Sequence, residues 1–159
     1  MKYRKQPLIT ILSVLLILGS VCSQAGTMNK PINQRNQPTP QAIVFISLAM
    51  PELSIKQIIQ DAERYEIPVV IRGLYRNSFK ETASKIFDLI KESNQGGILI
   101  NPRWFKQYEI KAVPAVVVSQ EDRFDVVYGN IHLKKALEII AERGDLAAVA
   151  KKVLEKKGL

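Results

Sequence analysis

Two short runs of large, mostly β-branched residues, Ile43-Val44-Phe45-Ile46 and Pro68-Val69-Val70-Ile71, bracket a stretch whose apolar residues recur at helical spacing. Neither run alternates with polar residues, so each reads as a strand covered on both faces, as in parallel sheets. Between them, Pro51-Glu52-Leu53-Ser54 supplies helix-start chemistry, and Leu53, Ile55, Ile58, Ile59 and Ala62 fall at helical spacing up to Tyr65. Strand, helix, strand in that order implies a right-handed parallel crossover and an α/β sheet.

The pattern continues past this unit. Ser78 is placed to cap a long helix through Asn94, with Ala83, Ile86, Phe87 and Ile90 on one face and Gly96-Gly97 as its stop. A third short run, Ile98-Leu99-Ile100, follows, and Asn101-Pro102 opens a short helix in which Trp104, Phe105 and Tyr108 read as core. Ala115 to Val118 and Phe124 to Tyr128 are β-rich, and Ser119 to Arg123 between them reads as a loop joining antiparallel strands. Asn130 is expected to start a helix through Arg143; Gly144-Asp145 stops it and caps another to about Lys157. The first of these helices is expected to cover the sheet. The second either packs onto its own domain or offers an apolar stripe to a partner.

The N-terminus sets the compartment. Basic residues Lys2, Arg4 and Lys5 precede an apolar run from Leu8 to Leu18 and then Ser23-Gln24-Ala25, the order of a secretory signal cut after Ala25. The run is short of the roughly 20 residues that span a bilayer, so membrane contact is expected only through the signal before cleavage. Cys22, the only cysteine, lies on the signal side of that cut, so a mature chain carries no thiol and no disulfide. Acylation of Cys22 in a lipoprotein is the other reading, but Gly19-Ser20-Val21 is a poor match to a lipoprotein box. Residues 26–41, with Pro31, Pro38, Pro40 and many amides, read as a flexible linker, leaving 42–159 as one domain. The formal charge of +8 falls by three when the signal leaves, a modest excess that reads as a solvated basic surface. No aromatic-interleaved basic stripe points to nucleic acid.

The segment from Tyr108 to Val118 resembles the thioredoxin fold, in which a proline preceded by a cis peptide bond enters an antiparallel hairpin; Pro114 holds that place here. More narrowly, Phe45-Ile46-Ser47-Leu48-Ala49-Met50-Pro51, Val70-Ile71-Arg72-Gly73-Leu74, Ile100-Asn101-Pro102-Arg103-Trp104-Phe105 and Val113-Pro114-Ala115 together resemble TrbC, the pilus assembly family of F-type conjugative type IV secretion systems. The chain departs from that pattern at Ala49, where a serine is usual, and at Asn101, where an aspartate is usual. The resemblance implies an α/β fold, a thioredoxin-like mixed sheet flanked by helices, with an extra C-terminal helix. It also implies a non-enzymatic periplasmic assembly role through protein contacts, with a TraW-like protein as first partner and no cofactor. The alternatives are a periplasmic thiol-disulfide oxidoreductase relative and a chaperone-like binder of extended peptides.

Ser47 and Met50 bracket the spacing at which a redox thioredoxin carries Cys-x-x-Cys, and neither side chain forms a thiolate. Topology brings Ser47, Arg72 and Pro114 to one sheet edge, where α/β sheets bind ligands, and with Met50, Pro51 and Gly73 they are the candidate partner-binding residues. They could hold an extended segment of a partner; alternatively Ser47 caps the helix, Met50 fills a gap and Arg72 pairs with an internal acid such as Asp88. His132 stands without a second metal ligand in the pattern, and no phosphate-binding glycine motif is present.

Overall fold

The computed structural model describes residues 39–91 and 97–156. The expected signal, Cys22, most of the linker, the expected helix end at Asn94 with Gly96, and Lys157 all lie outside the described residues.

Five strands form one mixed sheet in the order β3-β2-β1-β4-β5. They are β1 (Ala42–Ile46), β2 (Val69–Ile71), β3 (Ile98–Ile100), β4 (Ala115–Gln120) and β5 (Arg123–Tyr128). β1 pairs parallel with β2, and β2 with β3, as the uninterrupted apolar runs require. β4 runs antiparallel to β1, with Phe45 opposite Ala115, and β5 returns beside β4. The arrangement is thioredoxin-like.

The helices are α1 (Glu52–Arg64), α2 (Phe79–Ile90), α3 (Pro102–Gln107), α4 (Leu133–Arg143) and α5 (Ala147–Glu155). The pleat divides β1 between two cores. Ala42, Val44 and Ile46 join α1, α4, α5 and Leu89 of α2 on one side, whereas Ile43 and Phe45 meet Phe105 and Tyr108 of the α3 segment on the other. Phe45 packs edge-on against Phe105 at 4.8 Å and Tyr108 at 6.0 Å between ring centroids. Complete burial of a side chain such as Phe45 contributes about 1.5–3 kcal/mol. The three aromatics near α3 therefore serve as core, with Trp104 partly buried against the same cluster.

Several boundaries differ from the sequence expectation. Ser78 does cap α2, its Oγ accepting from the Glu81 amide at 3.2 Å, but the face α2 buries is Thr82 and Leu89, while Phe87 is 66% exposed. Leu53, assigned by periodicity to the inner face of α1, is 82% exposed, because α1 needs only Ile55, Ile58, Ile59 and Ala62 to reach the core. The hairpin loop shrinks to Glu121-Asp122, with Gln120 paired to Arg123 and Glu121 at φ 56°. Ser119 is strand, not loop: its buried hydroxyl donates to the Pro40 carbonyl at 3.0 Å and accepts from Tyr108 Oη at 3.3 Å.

α4 begins at Leu133 and not at Asn130, because the acceptor for its first amide comes from elsewhere in the chain. The Asp61 carboxylate on α1 lies 3.4 Å from the Leu133 amide and 3.2 Å from His132 Nδ1. The start of α5 is held similarly, the Leu146 amide donating to Asp125 Oδ2 of β5 at 2.8 Å. Val149, Ala150 and Val153 of α5 are buried in the larger core, so this helix packs onto its own domain.

Candidate functional site

β1 ends at Ile46 and β2 at Ile71, which are paired partners, and β4 begins directly after Pro114. Ser47, Arg72 and Pro114 therefore emerge at the same end of the sheet, as the topology predicts. An open cleft of about 590 Å³ lies there, its floor made by Ile46, Ile71, Phe105, Ile110 and Val113. Of the residues singled out from sequence, Ser47, Arg72 and Gly73 line it; Met50, Pro51 and Pro114 do not.

The Ser47 hydroxyl accepts from the Ala49 amide at 3.2 Å and its carbonyl from the Met50 amide at 3.1 Å, so it fixes the turn leading into α1. It does not cap the helix; Pro51 occupies that position, pre-set at φ −55°. Met50 is half-buried against the larger core. The Val113–Pro114 peptide bond is cis, and the Pro114 carbonyl accepts from the Gly129 amide at 3.0 Å. Gly73 faces open space.

Among the described residues Arg72 has no carboxylate partner of the kind expected in Asp88. Its Nη2 donates to the Ile110 carbonyl at 3.1 Å, and its guanidinium carbon lies 5.1 Å from the Phe105 ring centroid. A planar cation stacked on a ring and tied to a carbonyl is held in one orientation, with further N–H groups left to donate. Burial of Thr82 shapes the far wall: its hydroxyl donates to the Ser78 carbonyl at 2.6 Å and accepts from the Tyr75 amide at 2.8 Å. That pins the loop carrying Leu74, Tyr75 and Arg76 to α2.

Sequence reasoning missed Arg76, Leu74, Ile110 and Lys111 as cleft residues. The available signal for Lys111 was a single cation inside the apolar run from Ile110 to Val113. Among the described residues three cations and no acid line the cleft. His132, by contrast, is engaged with Asp61, and no group of three His, Cys, Asp or Glu that could hold a metal occurs among the described residues. Among those residues no helix is long and apolar enough to cross a membrane.

The comparisons with known proteins converge on one family. A model described as "Type-F conjugative transfer system pilin assembly protein" matches residues 44–140, which include all six candidate site positions. The protein named "Periplasmic protein TrbC" from Escherichia coli (strain K12) is 35% identical over 126 residues, 79% of this chain and 59% of that protein. The chain thus spans about three fifths of the length of that relative. The location in its name is the one the N-terminal segment leads us to expect. No solved structure matches. From the order of its motifs, its mixed sheet and this family match, the chain belongs to the F-type TrbC family of conjugative pilin assembly proteins.

Proposed function

We propose that this chain acts in the periplasm as a non-enzymatic assembly factor for a conjugative or type IV secretion pilus, and that it works by holding another assembly protein at the Ser47–Arg72 cleft. The observation that carries this reading is the cleft itself: an apolar floor at the carboxyl ends of β1 and β2, with an oriented guanidinium at its rim. Ser47 and Met50 stand where a redox relative would need thiols, and the chain's only cysteine is Cys22, so dithiol exchange has no chemical basis at this site. The scaffold is kept while the nucleophile is gone, which favours binding over turnover. A TraW-like periplasmic protein is the first partner to test.

The test is a donor strain lacking this gene, scored for extracellular pili and conjugative transfer. Complementation by the intact gene restores both, and a version deleted for residues 1–25 restores neither. Normal pili and undiminished transfer in the deletion strain would remove the assembly role and leave binding of extended peptides in front. Turnover of a disulfide substrate by the purified protein would restore the enzyme reading.

A further inference from the structure

The charge around the cleft says what sort of segment fits it. Arg72, Arg76 and Lys111 stand over a floor of Ile71, Phe105 and Ile110, and among the described residues no aspartate or glutamate lines the same space. The three cations are not equivalent. Arg76 is exposed, 3.6 Å from Glu81 and stacked over Tyr75, so its charge is partly answered. Among the described residues Lys111 forms no ion pair, and the partners of Arg72 are a neutral carbonyl and a ring. Two unanswered positive charges thus border one apolar cleft, and Arg72 is already oriented to present its remaining N–H groups.

Resting on the docking role proposed above, we infer that the occupant is an extended peptide segment of the partner in which a carboxylate side chain stands beside apolar ones. The carboxylate is received between Arg72 and Lys111, and its neighbours lie on Ile71, Phe105 and Ile110. A guanidinium held in advance forms a charge-assisted bond without first losing rotamer freedom, and it presents a planar fork suited to two carboxylate oxygens. Long-range attraction from the basic rim speeds encounter and makes binding fall with salt. The open shape and loop-built walls suit a chain segment more than an enclosed small molecule.

The test uses the purified exported chain and two fluorescent, end-blocked peptides, acetyl-Gly-Thr-Ile-Glu-Val-Thr-Gly-amide and its Glu-to-Gln counterpart, read by anisotropy. The acidic peptide is expected to bind at least about tenfold more tightly than the amide version. Lys111→Glu and Arg72→Gln are each expected to erase that preference while the far-ultraviolet circular dichroism stays unchanged. Raising the salt should weaken the acidic peptide selectively. Equal affinity for the two peptides, or a preference that survives Lys111→Glu, would overturn the inference. So would binding of phosphatidylglycerol vesicles in place of the peptide, which would assign the cations to a lipid surface. The two proposals fail separately. If Lys111→Glu keeps the peptide preference but yields no pili, the acidic occupant falls and the assembly role stands; if the gene deletion leaves pili normal, the assembly role falls whatever the peptides do.

Discussion

Arg72 is bonded to Ile110 across 38 residues of sequence: Nη2 reaches the Ile110 carbonyl at 3.1 Å, joining the end of β2 to the loop that follows α3. The bond fixes a surface cation and leaves the core untouched, since Arg72 itself is exposed. We expect Arg72→Ala to cost about 1–2 kcal/mol, the sum of one hydrogen bond and one ring contact. Arg72→Lys should recover only part of that, because an ammonium has no planar face to lay on Phe105. Urea denaturation of the three proteins checks this; a loss above about 4 kcal/mol would make Arg72 a core element instead.

Asp61 links α1 to α4 by accepting from the Leu133 amide and meeting His132, with the Gln57 side-chain amide 3.3 Å from its other oxygen. Asp61→Ala is expected to destabilise by about 1–2 kcal/mol, as for loss of a helix N-cap. Asp61→Asn should cost less, since its oxygen still accepts. Faster hydrogen exchange at the Leu133 amide in Asp61→Ala, with little change on α2, would locate the effect.

Gly144 is required by close approach and not by its backbone angle, which any residue adopts at φ −83°. An added Cβ would lie 2.5 Å from Asp125 Oδ2 and 2.8 Å from the Ile140 carbonyl oxygen. Asp125 is the acceptor for the Leu146 amide, so Gly144→Ala strains the start of α5. A loss of about 1–3 kcal/mol is expected by chemical denaturation. No change would mean that α4 and α5 separate more easily than their buried faces indicate.

Phe45 is fully buried, and its ring holds both Phe105 and Tyr108. Phe45→Ala should cost about 3–5 kcal/mol and loosen α3 from the sheet. Trp104, the only tryptophan, packs against the same cluster and reports the change directly. Its emission should shift to the red in the folded variant; an unshifted spectrum would mean that α3 is held by other contacts.

Those parts of the structure that rest on local pattern were readable in the sequence. Ile43 to Ile46 and Val69 to Ile71 are apolar without alternation because both sheet faces are covered, and the parallel β1–β2 pair follows. Ser78 and Asn101 cap the helices they precede, since their side chains bond amides two or three residues on. Features held by distant partners were not readable. The start of α4 depends on Asp61, 72 residues earlier, and Ser119 counts as strand only because Pro40 and Tyr108 satisfy its hydroxyl. The same divide runs through the site. Strand order placed Ser47 beside Arg72, but the acceptor for Arg72 is a main-chain carbonyl, and a backbone group leaves no trace in residue identity. Phe87 and Leu53 were misassigned because periodicity marks an apolar face without saying how wide a strip the sheet covers.

The account turns on whether the cleft is used in assembly, and counting extracellular pili on donors whose only copy of the gene carries Arg72→Glu tests that most directly. With the variant folded and present in the periplasm at the level of the unaltered protein, the account predicts that pili and transfer are both lost. Normal pili from that strain would contradict it.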